Sequence, residues 1–170
     1  MTLTLRELWT VLHGMVFGAI FLLAFAGGLA GLYSLRPQLV TPEGLRERMT
    51  RLKAGVWTMA IMAWVTVISG TYIVYPWYRA KDPASPRSTL LANPATALWH
   101  TFGMEWKEHI GWVAPILATA VAFLVSYYGA GLAKDDRLRR ATTVLFILAF
   151  ATAAVAGVFG AFLNKVGPIR

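Results

Sequence analysis

The sequence predicts an all-α protein, an integral membrane four-helix bundle with an amphipathic interfacial helix between spans two and three. Three observations carry this. Of 170 residues, 57% are apolar and the mean hydropathy is +0.56, against roughly 45–50% apolar in ordinary soluble chains. Charged residues make up only 14%, and they are bunched, leaving four long stretches almost free of them. At about 1.5 Å per helical residue, each stretch is long enough to cross a hydrocarbon core roughly 30 Å thick. A soluble enzyme fold and disorder are both excluded. The length fits one domain over residues 1–170, with no room for a separate catalytic domain.

The first span is expected over residues 9–34, Trp9 to Ser34. Ala24, Phe25 and Ala26 have the small-x-small spacing of a signal-peptide cleavage site, but the run is expected to stay in place as a span. Residues 35–53 are polar and basic, and Thr41, Pro42 and Glu43 predict the N-cap and first turn of a short surface helix through Arg51. The second span, 54–77, closes at Pro76. Tyr72, Tyr75, Trp77 and Tyr78 at its end form the aromatic belt expected where a helix meets lipid headgroups. The connection 78–109 opens as coil around Pro83 and Pro86. Past the Asn93 and Pro94 cap it continues as an amphipathic helix over 94–106, with Leu98, Trp99, Phe102 and Trp106, lying along the interface. The third span, 110–133, kinks at Pro115. The fourth, 141–164, follows the tight basic loop Lys134 to Arg140. No internal repeat is present.

Orientation follows from lysine and arginine. Residues 35–53 and 134–140 hold nine of them in 26 residues, whereas 1–8, 78–109 and 165–170 hold seven in 46. A roughly twofold excess in density places the first two loops in the cytoplasm of a bacterial-type inner or plasma membrane, with both termini outside. The formal charge of +8 and pI near 10.2 would point to nucleic acid in a soluble chain. Confined to short segments between apolar runs, the basic residues point instead to anionic lipids at the cytoplasmic loops, and no nucleic acid partner is expected. Cysteine is absent, which removes disulfides, iron–sulfur clusters, thiolate metal sites and covalent haem attachment.

In a chain this apolar, ionisable groups in or near the spans are the candidates for chemistry. His13 lies one turn inside span one and His109 at the entrance of span three. These spans run in the same direction, so both imidazoles are expected at the outward end at similar depth. One neutral imidazole from each side of an iron is what a haem held between two helices requires. Gly14 and Gly18 beside His13 would let a porphyrin or a helix approach the backbone. His100 is nine residues from His109, on the opposite side of a continuous helix, so the two do not share an iron. A rival reading is a metal centre: Glu105 and His109 stand at i and i+4 with Glu108 and His13 nearby, and His100 and Glu105 serve as alternative ligands for zinc, copper or iron. A third is a cofactor-free scaffold. It rests on the small-xxx-small pairs Gly14/Gly18, Gly27/Gly31, Ala153/Gly157 and Gly157/Ala161, which read as seams within the bundle or toward another subunit. Trp57, Met59, Met62 and Trp64 read as packing or lipid face, and Tyr127, on the face of His109, as a buried tyrosine bonding a carbonyl ahead of a cofactor contact. A quinone near Tyr72, Tyr75, Trp99 and Trp106 is also compatible. With no charged residue expected inside a span, no paired broken helices and no Gly-x-Ser-x-Gly, neither transport nor nucleophilic catalysis is indicated.

Four spans with His13 and His109 near the outward ends of spans one and three resemble the small four-helix b-type cytochromes and the membrane-anchor cytochrome subunits of respiratory complexes. The resemblance covers the whole chain as architecture and those two histidines as residues. It implies one haem b bound by His13 and His109, electron transfer at the outward face, no catalysis by the subunit itself, and membrane partner subunits in a respiratory or photosynthetic complex. Such families commonly carry two haems on four histidines, and this chain has no histidine near the cytoplasmic ends.

Overall fold

The computed structural model describes residues 2–169. Among them the chain forms α1 (Leu5–Ser34), a 3₁₀ turn (Pro37–Leu39), α2 (Pro42–Tyr78), α3 (Pro86–Ala92), α4 (Pro94–Tyr128), α5 (Gly131–Lys134) and α6 (Asp136–Val166), with no strand. The all-α expectation holds, and α1, α2, α4 and α6 are each long and apolar enough to cross a membrane.

Local chemistry sets where they begin. Thr4 and Glu7 form a reciprocal capping box at α1, with Thr4 N donating to Glu7 Oε2 at 2.8 Å and Glu7 N to Thr4 Oγ1 at 3.2 Å. Thr41, Asn93 and Asp135 cap α2, α4 and α6 more simply, each side-chain oxygen accepting a first-turn N–H, from Gly44, Ala95 and Leu138. Helix α4 stops where Gly129 takes φ +50°, ψ −126°, a conformation that only glycine adopts without strain. Span three therefore ends at Tyr128 rather than Ala133.

Two expected boundaries are corrected. The short surface helix after Thr41 and span two are one helix, running unbroken from Pro42. The segment 94–106 is likewise continuous with span three and does not lie along the interface. His100, Met104, Lys107, Gly111, Ala114, Ala118, Val121 and Val125 alternate by four and three residues, and all but the half-buried Lys107 are buried. That spacing is one seam of a helix packed along its whole length. At its first turns Trp99 stacks on Phe162 with ring centroids 5.1 Å apart, and Phe102 and Trp106 meet Phe159. Aromatic contacts with α6 thus draw the segment into the bundle. Since α4 spans 35 residues, roughly 52 Å, it overruns the hydrocarbon by about 20 Å, and the overhang is at this end.

The order is α1, α2, α4, α6, each antiparallel to the next, with α1 and α6 closing the ring least intimately. The main core gathers Leu32, Val56, Met59, Val121, Val125 and Phe146. Trp57 Nε1 donates to Ser126 Oγ at 3.0 Å and Trp64 Nε1 to Thr119 Oγ1 at 2.9 Å, so these indoles tie α2 to α4 and are more than packing or lipid face. The close-contact glycines are also not those expected. Added Cβ atoms at Gly14, Gly18, Gly27 and Gly157 would meet nothing within 4 Å, whereas one at Gly28 would lie 2.6 Å from Phe146 Cζ and one at Gly31 3.0 Å from Leu52 Cδ1. Of the glycines in the expected seams only Gly31 marks a close approach, while Ala153 packs against the main core.

Candidate functional site

The start of α1, the end of α6 and the 79–93 connection lie at one end of the bundle, the terminal face. The loops around 35–41 and 129–135 lie at the other, the basic face. Near the terminal face three of the four long helices widen into π turns: Leu12–Val16 in α1, Gly70–Val74 in α2 and Trp99–Met104 in α4. In α2 the cause is visible in the sequence, because Pro76 has no N–H to donate to the carbonyl of Tyr72 and the preceding turn is released. Single π turns recur at functional sites because they re-aim side chains within an otherwise regular helix.

His13 sits inside the first π turn. Its Nδ1 is 3.2 Å from Ser69 Oγ, which itself donates to the Thr66 carbonyl at 3.1 Å. Where the Ser69 proton stays directed at the Thr66 carbonyl, His13 Nδ1 is the donor to Oγ and Nε2 presents a lone pair; in the other tautomer Ser69 donates to Nδ1. The ring occupies the space left by Gly70, where a Cβ would stand 2.6 Å from His13 Cε1 and 3.2 Å from Nε2. Lys107 of α4 lies within reach of an electrostatic effect on His13. The Lys107 ammonium is seated over Gly160 of α6, where a Cβ would be 2.6 Å from Nζ. Two glycines on facing helices therefore make the room for the two basic side chains.

Glu105, Lys107 and Glu108 all lie in α4, within its first 15 residues and ahead of the apolar run that begins at Ile110. Arg79, just past α2, takes both carboxylates: its Nη2 is 3.4 Å from Glu105 Oε1 and 3.9 Å from Glu108 Oε1, with its guanidinium 5.2 Å from the Tyr75 ring centroid. Among the described residues, no carboxylate stands within ion-pair distance of Lys107. Tyr78 and His100, both buried, share a hydrogen bond of 2.9 Å between Oη and Nδ1. Thr66 Oγ1, Trp106 Nε1 and Glu108 Oε1 are buried without a hydrogen-bonding partner.

His109 is placed differently from the expectation. Two residues beyond Lys107 it points about 200° around the helix. Its side chain is 71% exposed, with Nδ1 2.8 Å from the Glu105 carbonyl oxygen. The structure does not bring His13 and His109 together. His13 faces Ser69 and Gly70 inside the bundle and His109 faces away from it, so these two side chains do not fit opposite sides of one haem iron. His100 is committed to Tyr78. Among the described residues no three His, Cys, Asp or Glu side chains gather to hold a metal ion, so the set of His13, His100, Glu105, Glu108 and His109 is not assembled as one site. The aromatic residues considered for a quinone are spread as well: Tyr75 and Trp99 pack on one small core, Trp106 on Phe159, and Tyr72 is 70% exposed. Tyr127 is 82% exposed, on the same outer face as His109.

Sequence reading missed Lys107, Ser69 and Arg79 as members of the cluster. The signal for Lys107 was present, since it falls on the seam running from His100 to Val125. Ser69 and Arg79 carry no comparable mark, because their roles depend on which helices become neighbours. Comparison with protein-family models, curated proteins and solved structures finds no match to this chain.

Proposed function

We propose that the protein is a non-catalytic subunit of a larger membrane assembly, and that its polar cluster exchanges protons with water at the terminal face. The observation that carries this reading is the Lys107 ammonium, held over Gly160 without a carboxylate partner, while Arg79 takes both nearby carboxylates. Ionisable groups this costly to bury are kept in membrane bundles chiefly for ion or proton traffic. The unpartnered polar atoms of Thr66, Trp106 and Glu108 favour it further, since buried polar groups without protein partners are commonly satisfied by water. Deeper in the bundle Met59, Ala60, Ala118, Val121 and Phe146 close the core, so the path serves one face only. With the basic loops in the cytoplasm, that face is the outer one. The open glycines Gly14 and Gly18 leave a surface on α1 that another helix can approach. The layout fits a respiratory or photosynthetic assembly, in which this chain supplies proton-handling groups and holds no haem through His13 and His109.

The test is infrared difference spectroscopy across a pH step on the full chain in proteoliposomes. Bands from a carboxyl and an amine are expected, the first lost in Glu108→Gln and the second in Lys107→Met, with the helical amide signal unchanged. A pH step that moves the same bands in the parent and in both variants would overturn the proposal.

A further inference from the structure

At the basic face, α1 and α6 part. They are in contact through Phe25 and Phe150, stacked with centroids 3.9 Å apart, and through Phe146 against Gly28. Beyond Gly28 they leave a cleft of about 890 Å³. Its walls include Leu29 and Leu32 from α1 and Val144 from α6, and its mouth carries Arg36, Lys134, Arg139 and Arg140 against the single carboxylate of Asp136. Asp136 is shared: Arg140 Nη2 lies 2.6 Å from Oδ2, while Arg139 bonds Oδ1 and also donates to the Leu132 carbonyl at 3.1 Å. Arg139 is buried and its donors are committed to the fold. Arg36 lies 4.0 Å over the Tyr33 ring, and among the described residues neither Arg36 nor Lys134 has a carboxylate partner. One negative charge against four positive ones leaves an excess of three at the mouth of a cleft whose floor is apolar.

We infer that this cleft binds the phosphate-bearing headgroup of an anionic membrane lipid, with Arg36, Lys134 and Arg140 on the phosphate and an acyl chain against Leu29 and Val144. Tyr33, 57% exposed, sets the depth, since exposed tyrosines of membrane helices lie at headgroup level. The excess charge accounts for the phosphate. A free phosphate would use the mouth and leave the apolar walls uncovered, so the walls select a lipid. The inference is independent of the proton-exchanging cluster, which lies at the opposite end of the bundle.

The experiment is native mass spectrometry of the detergent-solubilised full chain titrated with phosphatidylglycerol or phosphatidylcholine of matched acyl chains. A basic side chain near an anionic headgroup contributes about fivefold in affinity, so three should favour phosphatidylglycerol by roughly 100-fold at one site. Arg36→Gln with Lys134→Gln should reduce that preference about 25-fold. Arg46→Gln with Lys53→Gln, on the same face but outside the cleft, should leave it unchanged. Equal retention of the two lipids by the parent chain would overturn the inference whatever the variants do. So would displacement of phosphatidylglycerol by millimolar inorganic phosphate, which would assign the site to the free ion.

Discussion

Gly70→Ala tests the geometry on which the polar cluster depends. In an open helix the change should stabilise, because alanine exceeds glycine by about 0.8–1 kcal/mol in helix propensity. At Gly70 the new methyl would stand 2.6 Å from His13 Cε1 and 3.3 Å from Nδ1, where unstrained carbon contacts need about 3.5–4.0 Å. The ring must therefore retreat by roughly 1 Å, and Ser69 holds it at 3.2 Å. Losing that hydrogen bond costs about 1 kcal/mol and forcing a methyl into a filled space about 1–3 kcal/mol. Once the helix gain is subtracted, the net destabilisation is about 1–3 kcal/mol. Gly18→Ala, with nothing within 4 Å of its added Cβ, carries only the favourable part. The assay is reversible unfolding in mixed micelles followed by circular dichroism. In a His13→Ala background the obstacle is gone, and Gly70→Ala should then become neutral or stabilising. If Gly70→Ala and Gly18→Ala change stability by the same amount in both backgrounds, the placement of His13 against Gly70 is refuted.

The indole hydrogen bonds between α2 and α4 predict that Trp57→Phe and Trp64→Phe each lose about 0.6 kcal/mol in the same assay, with little coupling, since the two residues are two helical turns apart. A loss in one variant that depends on the other would show that the two bonds are not independent. The histidines of α4 should separate cleanly: His100→Phe leaves the buried Tyr78 hydroxyl without its partner and should cost about 1–3 kcal/mol, whereas His109→Ala, at a 71% exposed side chain, should stay within about 0.5 kcal/mol of the parent. Equal costs at the two positions would contradict the burial assigned to each.

The four spans were legible because burial in lipid imposes composition as well as period, and runs such as Trp9 to Ser34 are long enough to cross a membrane. Caps at Thr41 and Asn93 were legible because they are local. The extent of α4 was misread for a physical reason. Trp99, Phe102 and Trp106 make an amphipathic stripe whether they face a membrane surface or the phenylalanines of another helix, and only the seam through His100, Met104, Lys107 and Gly111 separates the two. The glycine contacts were misread for a related reason: a four-residue spacing marks a surface able to pack closely but does not say which surface is turned inward, and Gly70 and Gly160 are set by the side chains opposite them. The site was partly legible. His13 was singled out as an ionisable group in a span, but its partners on α2, α4 and α6 come from the arrangement of the bundle.

Helices in lipid gain little from hydrophobic contact with each other, so their register depends on small-residue approaches and interhelical hydrogen bonds. In this bundle such ties run the length of the helices: Arg48 Nη1 donates to the Ser34 carbonyl at 2.7 Å near the basic face, the Trp57 and Trp64 indoles bond α4 further along, and the polar cluster adds ties at the terminal face. His13 with Ser69 and Gly70 links α1 to α2, Arg79 with Glu105 and Tyr78 with His100 link α2 to α4, and Lys107 over Gly160 links α4 to α6. Every long helix is therefore tied to its neighbour through a polar side chain of the cluster, and the same contacts that fix the register also hold the ionisable groups in place. At the basic face α1 and α6 share no such tie, and their separation is what leaves the cleft between Arg36 and Arg140. The α1/α6 seam, without a polar tie at the basic face, is thus where the bundle opens, while α1 with α2 and α2 with α4 stay bonded at that end through Arg48 and Trp57.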